Sequence, residues 1–153
     1  MKPEETLKNL GYELPELPVP VGLYVPYVEY NGLIFLSGLL PVKEGRLLYQ
    51  GRIGKDLTIE QAKECTIQIV LNCLSILKSN LGELQRIGKC LRINGYLQTS
   101  EDFKDHPLIL NAASELVVKV FGEGGKHTRV ATGAFTLPMN SPVEMDFIFS
   151  LKG

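Results

Sequence analysis

The sequence predicts an α+β fold in which two helices lie on one face of a mixed β-sheet. Three observations lead there. Asn31-Gly32 joins two β-rich runs, the cue for a tight hairpin. From Thr58 onward apolar residues recur at helical spacing. The closing segment Val143–Leu151 alternates apolar and polar side chains with a period of two.

The elements follow in order. Pro3 to Asn9 suits a short helix with proline in its first turn. Leu14 to Pro20 carries Pro15, Pro18 and Pro20, which predicts an extended approach segment. Tyr24 to Tyr30 and Leu33 to Gly38 form the hairpin, and Arg46 to Gln50 is a third short strand. Thr58-Ile59-Glu60-Gln61 reads as a capping box that opens a long helix. Ala62, Cys65, Ile69, Cys73, Ile76 and Leu77 give that helix one apolar face, and Gly82 closes it. Ile87 to Thr99 is a strand with a bend or bulge at Gly95. A second helix spans Pro107 to Phe121 between Asp105 or Pro107 and Gly122, and strands follow at Thr128 to Leu137 and Val143 to Leu151. The predicted order is β-β-β-α-β-α-β-β. The sheet face away from the helices is mixed in composition, which predicts packing against further copies of the chain.

Composition narrows the function. With 153 residues the chain is about one domain long. Residues 1–153 are read as one domain, with 1–20 as an N-terminal extension. A hydrophobic share of 44% and a charged share of 22% argue against disorder. The net charge is −1 and Lys and Arg form no cluster, which speaks against nucleic acid as a partner. The polar start does not resemble a secretory signal, and the apolar runs are shorter than the ~20 residues that span a bilayer, so no membrane is expected. Cys65, Cys73 and Cys90 lack metal spacing and read as reduced core thiols of a cytoplasmic protein.

Several chemistries lack their residues. No Gly-x-Gly-x-x-Gly or phosphate-binding Gly-Lys-Ser/Thr loop occurs. No Gly-x-Ser-x-Gly turn is present, and His106 and His127 stand apart from acidic or thiol partners at metal-like spacing. What remains is Arg129, which opens a strand, and Glu144, expected in the adjoining strand across a turn. An arginine fork grips a carboxylate in bidentate fashion, and a nearby carboxylate can take a proton from water. On spacing alone, a cross-strand salt bridge is the better reading of the same two residues.

Leu23-Tyr24, Asn31-Gly32-Leu33-Ile34-Phe35-Leu36-Ser37-Gly38 and Thr58-Ile59-Glu60-Gln61-Ala62 resemble the first half of the Rid/YjgF family. Arg129, Leu137-Pro138 and Val143-Glu144-Met145-Asp146 resemble its C-terminal signature, and Asn111 its helix asparagine. The resemblance covers about Val21 to Leu151. It implies a chorismate-mutase-like α+β fold, a homotrimer with clefts between subunits, and hydrolysis of reactive 2-imino acids and enamines to 2-keto acids and ammonia. No cofactor or metal is implied. By that resemblance Arg129 holds the substrate carboxylate and Glu144 orients water. Tyr24, Ser37 and Asn111 line the cleft, and the backbone at Ala131 meets the imine and water. Three positions depart from better-known members. Ala131 stands for a frequent cysteine, Gly133 for a polar residue and Ser114 for a tyrosine, and the side-chain volume missing at Ala131 and Gly133 predicts room for a larger imino acid. A non-catalytic small-molecule-binding trimer is the alternative, and an endoribonuclease or translation inhibitor a third reading.

Overall fold

A computed structural model describes residues 1–17 and 22–153. Pro18, Pro20 and Val21 lie outside the described residues, and residues 14–17 form neither helix nor strand. Helix α1 (Pro3–Asn9) forms as expected with proline in its first turn. It is anchored rather than trailing. Leu7 is buried, and the Glu4 carboxylate accepts the Leu84 N–H at 2.8 Å.

Strands β1 (Tyr27–Tyr30) and β2 (Leu33–Leu36) pair through Asn31 and Gly32, whose φ values of 51° and 77° make the expected turn. Both strands are shorter than the sequence suggests. Tyr24 to Pro26 precede β1, and Ser37 and Gly38 follow β2. The chain rejoins the sheet at Leu39, which exchanges backbone hydrogen bonds with Met145 at 2.7 and 3.0 Å. The expected strand from Arg46 to Gln50 is corrected. Only Arg46–Leu47 (β4) is strand, paired with Val42–Lys43 (β3) in a separate ribbon. Glu44 and Gly45, at φ 53° and 81°, turn that ribbon.

Helix α2 (Ile59–Leu81) starts at the predicted capping box. Gln61 N–H donates to Thr58 Oγ1 at 3.1 Å, and Thr58 N–H donates to Gln61 Oε1 at 2.9 Å. Gly82 closes it at φ 86°. The predicted face is buried throughout, but the middle turns are buried on other sides too. Their polar residues therefore reach the segments packed over them. Asn72 donates to the Val42 carbonyl at 2.9 Å, and Ser75 to the Pro15 carbonyl at 2.7 Å.

Strand β5 (Ile87–Gln98), helix α3 (His106–Phe121), strand β6 (Thr128–Ala134) and strand β7 (Val143–Leu151) complete the fold. The five-stranded sheet runs β1-β2-β7-β5-β6. Only β5 and β6 are parallel, joined by the α3 crossover. Strand β6 ends three residues short of the expected Leu137. Gly95 is not a bulge, since the register shifts fall between Ile87 and Lys89 and between Cys90 and Arg92. It lets α3 approach instead: a Cβ there would come 2.8 Å from Leu110 Cγ.

Ile93, Leu97, Met145, Phe147 and Phe149 bury against α2 and α3 in one cluster. Cys65, Cys73 and Cys90 belong to it, and burial pushes the Cys65 and Cys90 thiols up to about 12. All three are free and buried in the core, as expected. The opposite face carries half-exposed Val28, Phe35 and Val130 together with Arg92, Asn94, Tyr96, Glu144 and Asp146. At the end of β5 buried Gln98 uses its whole side-chain amide. It donates to the Gly51 carbonyl at 3.1 Å and to Asn140 Oδ1 at 2.8 Å, and accepts from Leu137 N–H at 2.8 Å. No helix among the described residues is long and apolar enough to cross a membrane.

Candidate functional site

Arg129 and Glu144 are not on adjoining strands. The turn after β6 suggests that β6 and β7 pair, yet β5 occupies the place between them. Arg129 lies opposite Ile93, itself opposite Phe147, while Glu144 lies opposite Tyr96 and then Thr132. Opposed residues share a face. Ile93 and Phe147 are core, so Arg129 points to the helix side. Glu144 alternates with Val143 and Met145, both core, so it points to the open side. The cross-strand salt bridge therefore does not form. Among the described residues no carboxylate pairs with Arg129.

On the helix side, α3 and β6 hold the arginine. Arg129 Nη1 donates to Asn111 Oδ1 at 2.9 Å and to Ser114 Oγ at 3.0 Å. Asn111 and Ser114 are three residues apart, so they share one face of α3. Both Nη1 hydrogens are thus used. Nε and Nη2, the two donors of the side-on fork, have no protein partner among the described residues. Ser114 Oγ also meets His127 Nε2 at 2.9 Å, and His127 Nδ1 meets the Gly125 carbonyl at 2.6 Å. Ala131, two residues past Arg129 on the same face, is partly buried against the core. β6 is the sheet edge, so among the described residues no strand pairs its outer backbone groups. At Gly133 a Cβ would come 3.2 Å from His106 Nε2, whose ring stands edge-on against Phe103.

On the open side, Glu144 stands beside Gly38, where a Cβ would come 3.0 Å from its Oε1. The absence of a side chain at Gly38 makes room for this carboxylate. Burial, and next the charge of Asp146, push the Glu144 carboxyl above the usual carboxylate range. Asp146 is itself held, accepting from Asn94 Nδ2 at 2.7 Å and from Tyr96 Oη at 3.0 Å. Ser37 is less available than its type suggests. Its Oγ donates to the Val25 carbonyl at 2.7 Å and its N–H to the Pro26 carbonyl at 3.1 Å, tying down the bend that carries Tyr24. Tyr24 is about half exposed on that bend.

The six predicted residues thus fall into two groups. Arg129, Asn111 and Ala131 are on the helix side at the sheet edge, and Glu144, Ser37 and Tyr24 are toward β1, β2 and β7. Sequence reasoning missed Ser114 and His127 as partners of Arg129, and Gly38 and Tyr96 as neighbours of Glu144. Two spacings were the available signals: Ser114 three residues after Asn111 on a helix, and His127 two before Arg129, just ahead of the strand.

Residues 4–151 match the profile of a family described as "YjgF/chorismate_mutase-like, putative endoribonuclease". "Protein TCP17" of Trypanosoma cruzi is 32% identical over 147 residues, covering 95% of this chain and 92% of that protein. The crystal structure of a "putative endoribonuclease" from Shewanella oneidensis is 34% identical with a TM-score of 0.95, covering 99% of this chain and 100% of that one. A protein of unknown function from Agrobacterium tumefaciens is 33% identical with a TM-score of 0.91, covering 98% and 92%.

Proposed function

On the premise that the chain belongs to the YjgF/chorismate-mutase-like family, also called Rid, we propose that it hydrolyses small 2-imino acids to 2-keto acids and ammonia. The observation that carries the reading is Arg129. A partly buried guanidinium held by Asn111 and Ser114, with no acidic partner and its Nε–Nη2 edge left over among the described residues, suits a carboxylate approaching side-on. Such a fork supplies orientation as well as charge.

The chemistry needs little more. A protonated 2-imino acid is electrophilic at C2. Water adds there: Glu144 takes one water proton, the oxygen–carbon bond forms, and the carbon–nitrogen π pair moves onto nitrogen. Glu144 returns that proton to the amino nitrogen. It then takes the hydroxyl proton as the carbon–nitrogen bond breaks and the carbonyl forms, so the 2-keto acid is left and ammonia carries the last proton away as ammonium. A carboxyl held above its usual range is a better base for this step than an ordinary one. Backbone groups of β6 at Ala131 would meet the imine nitrogen and the water. No cofactor or metal enters.

Because Arg129 and Glu144 face opposite sides of one sheet, a single copy does not bring them to one substrate. We read the site as lying between copies, the α3–β6 groove of one facing the β7 and Gly38 side of the next, in a closed ring such as a homotrimer. The half-exposed apolar residues of the open face support that assembly. A non-catalytic carboxylate-binding trimer would use the same arginine, so Glu144 is what separates the two readings.

The test is ammonia and keto-acid release from imines made in situ by an amino-acid oxidase, with a semicarbazide trap. Arg129→Ala and Glu144→Gln should each lose roughly 10²- to 10⁴-fold in rate. Co-assembling the two variants should restore activity at up to about a quarter of sites, because intact halves then meet across some interfaces. Full activity in Glu144→Gln would sink the mechanism. Inactivity toward every imine by the native oligomer would leave the binding protein.

A further inference from the structure

We infer that His127 is a positioning residue for the carboxylate grip, acting on Arg129 through Ser114. This rests on the reading of Arg129 as the carboxylate ligand.

The proton positions follow from the partners. A carbonyl oxygen only accepts, so the 2.6 Å contact to Gly125 requires a proton on His127 Nδ1. Ser114 Oγ already accepts from Arg129 Nη1. Its own O–H has one acceptor among the described residues, His127 Nε2 at 2.9 Å. Every bond then runs one way: Arg129 donates to Ser114, Ser114 to His127, and His127 to Gly125. The ring is in its Nδ1–H form with Nε2 bare.

The end of that chain is fixed to the scaffold. A Cβ on Gly125 would come 2.5 Å from the Val117 carbonyl and 2.7 Å from Val118 Cα, so this turn lies directly on the α3 backbone. Gly125 thus seats the histidine, and the histidine sets the rotation of the Ser114 hydroxyl. A serine hydroxyl left without its acceptor turns freely, and the lone pair aimed at Nη1 turns with it. Asn111 alone would then hold the guanidinium by one hydrogen. The Nε–Nη2 edge would lose its fixed direction and with it the advantage of a pre-aligned fork.

The experiment measures binding of 2-oxobutanoate and of its uncharged amide, 2-oxobutanamide, to the native oligomer and its variants by titration followed with NMR. His127→Phe keeps the ring volume and removes the acceptor. It should weaken the acid by roughly three- to tenfold, the effect of one lost hydrogen bond, and leave the amide unchanged. His127→Gln, whose Oε1 reaches the place of Nε2, should recover most of the loss. Ser114→Ala should weaken the acid alike, and His127→Phe added to it should weaken it no further. Unchanged acid binding in a folded His127→Phe oligomer overturns the inference. So does a second, equal loss in the Ser114→Ala background, or an equal loss for the amide. Should Arg129→Ala leave acid binding intact, the reading of Arg129 falls and this inference with it. Should Arg129→Ala abolish acid binding while His127→Phe does nothing, only the inference falls. Should acid binding behave as described while no imine is hydrolysed, the deaminase reading falls and the positioning role stands.

Discussion

Glu144 sits half-buried beside Asp146, and both burial and the neighbouring charge favour its protonated form. The sign of the linkage follows. A carboxyl whose folded pKa is raised binds its proton more tightly in the folded state than in the unfolded one, so its ionisation costs stability at neutral pH. That cost is present above the raised folded pKa and disappears once pH falls below the unfolded value of 4.5. Glu144→Gln is therefore expected to melt no lower than the native protein at pH 8. Any advantage should shrink as melts are taken toward pH 4.5. A variant that loses activity while melting higher marks a residue kept for chemistry rather than for the fold. Arg129 and Glu144 were legible as candidates from residue type and family resemblance. Their separation was not, because a strand's neighbour in the sheet depends on the crossover rather than on the nearest turn. His127 was passed over for a related reason. Its spacing two residues before Arg129 gains meaning only when a serine from a distant helix meets the imidazole.

At the scale of the element, α2 was the most legible because its information is local. Thr58 and Gln61 lie three residues apart, and their reciprocal hydrogen bonds depend on nothing beyond the first turn. Local signals specify an element more than they hold it. Thr58→Ala should cost about 1 kcal/mol, whereas Leu77→Ala in the buried seam should cost about 2–5 kcal/mol. Chemical denaturation of both variants measures the difference, and equal costs would show that the cap does more than close the first turn. The Asn31-Gly32 hairpin was legible for the same reason, since both residues take the positive φ the turn demands. The β3–β4 ribbon was half missed because each strand has two residues, too few for a period to show. Gly95 was misread for want of its partner: its missing side chain serves the approach of Leu110 from α3, which the local sequence does not announce.

For the whole molecule, the sheet has one face sealed by helices and one bearing Val28, Phe35 and Val130 beside polar side chains. If copies meet there, Phe35→Glu should release monomers that keep their secondary structure. Sedimentation together with circular dichroism checks both halves of that statement, and an unchanged oligomer would move the interface elsewhere. Gln98 has a different reach. Its single amide joins the turn at Gly51, Leu137 in the loop after β6, and Asn140 before β7. These segments have little regular structure of their own, and in isolation each would flicker open separately. Tied to one buried amide, they open together or not at all. The Leu137 amide hydrogen, though it belongs to no helix or strand, should exchange with solvent on the timescale of the sheet rather than of a loop.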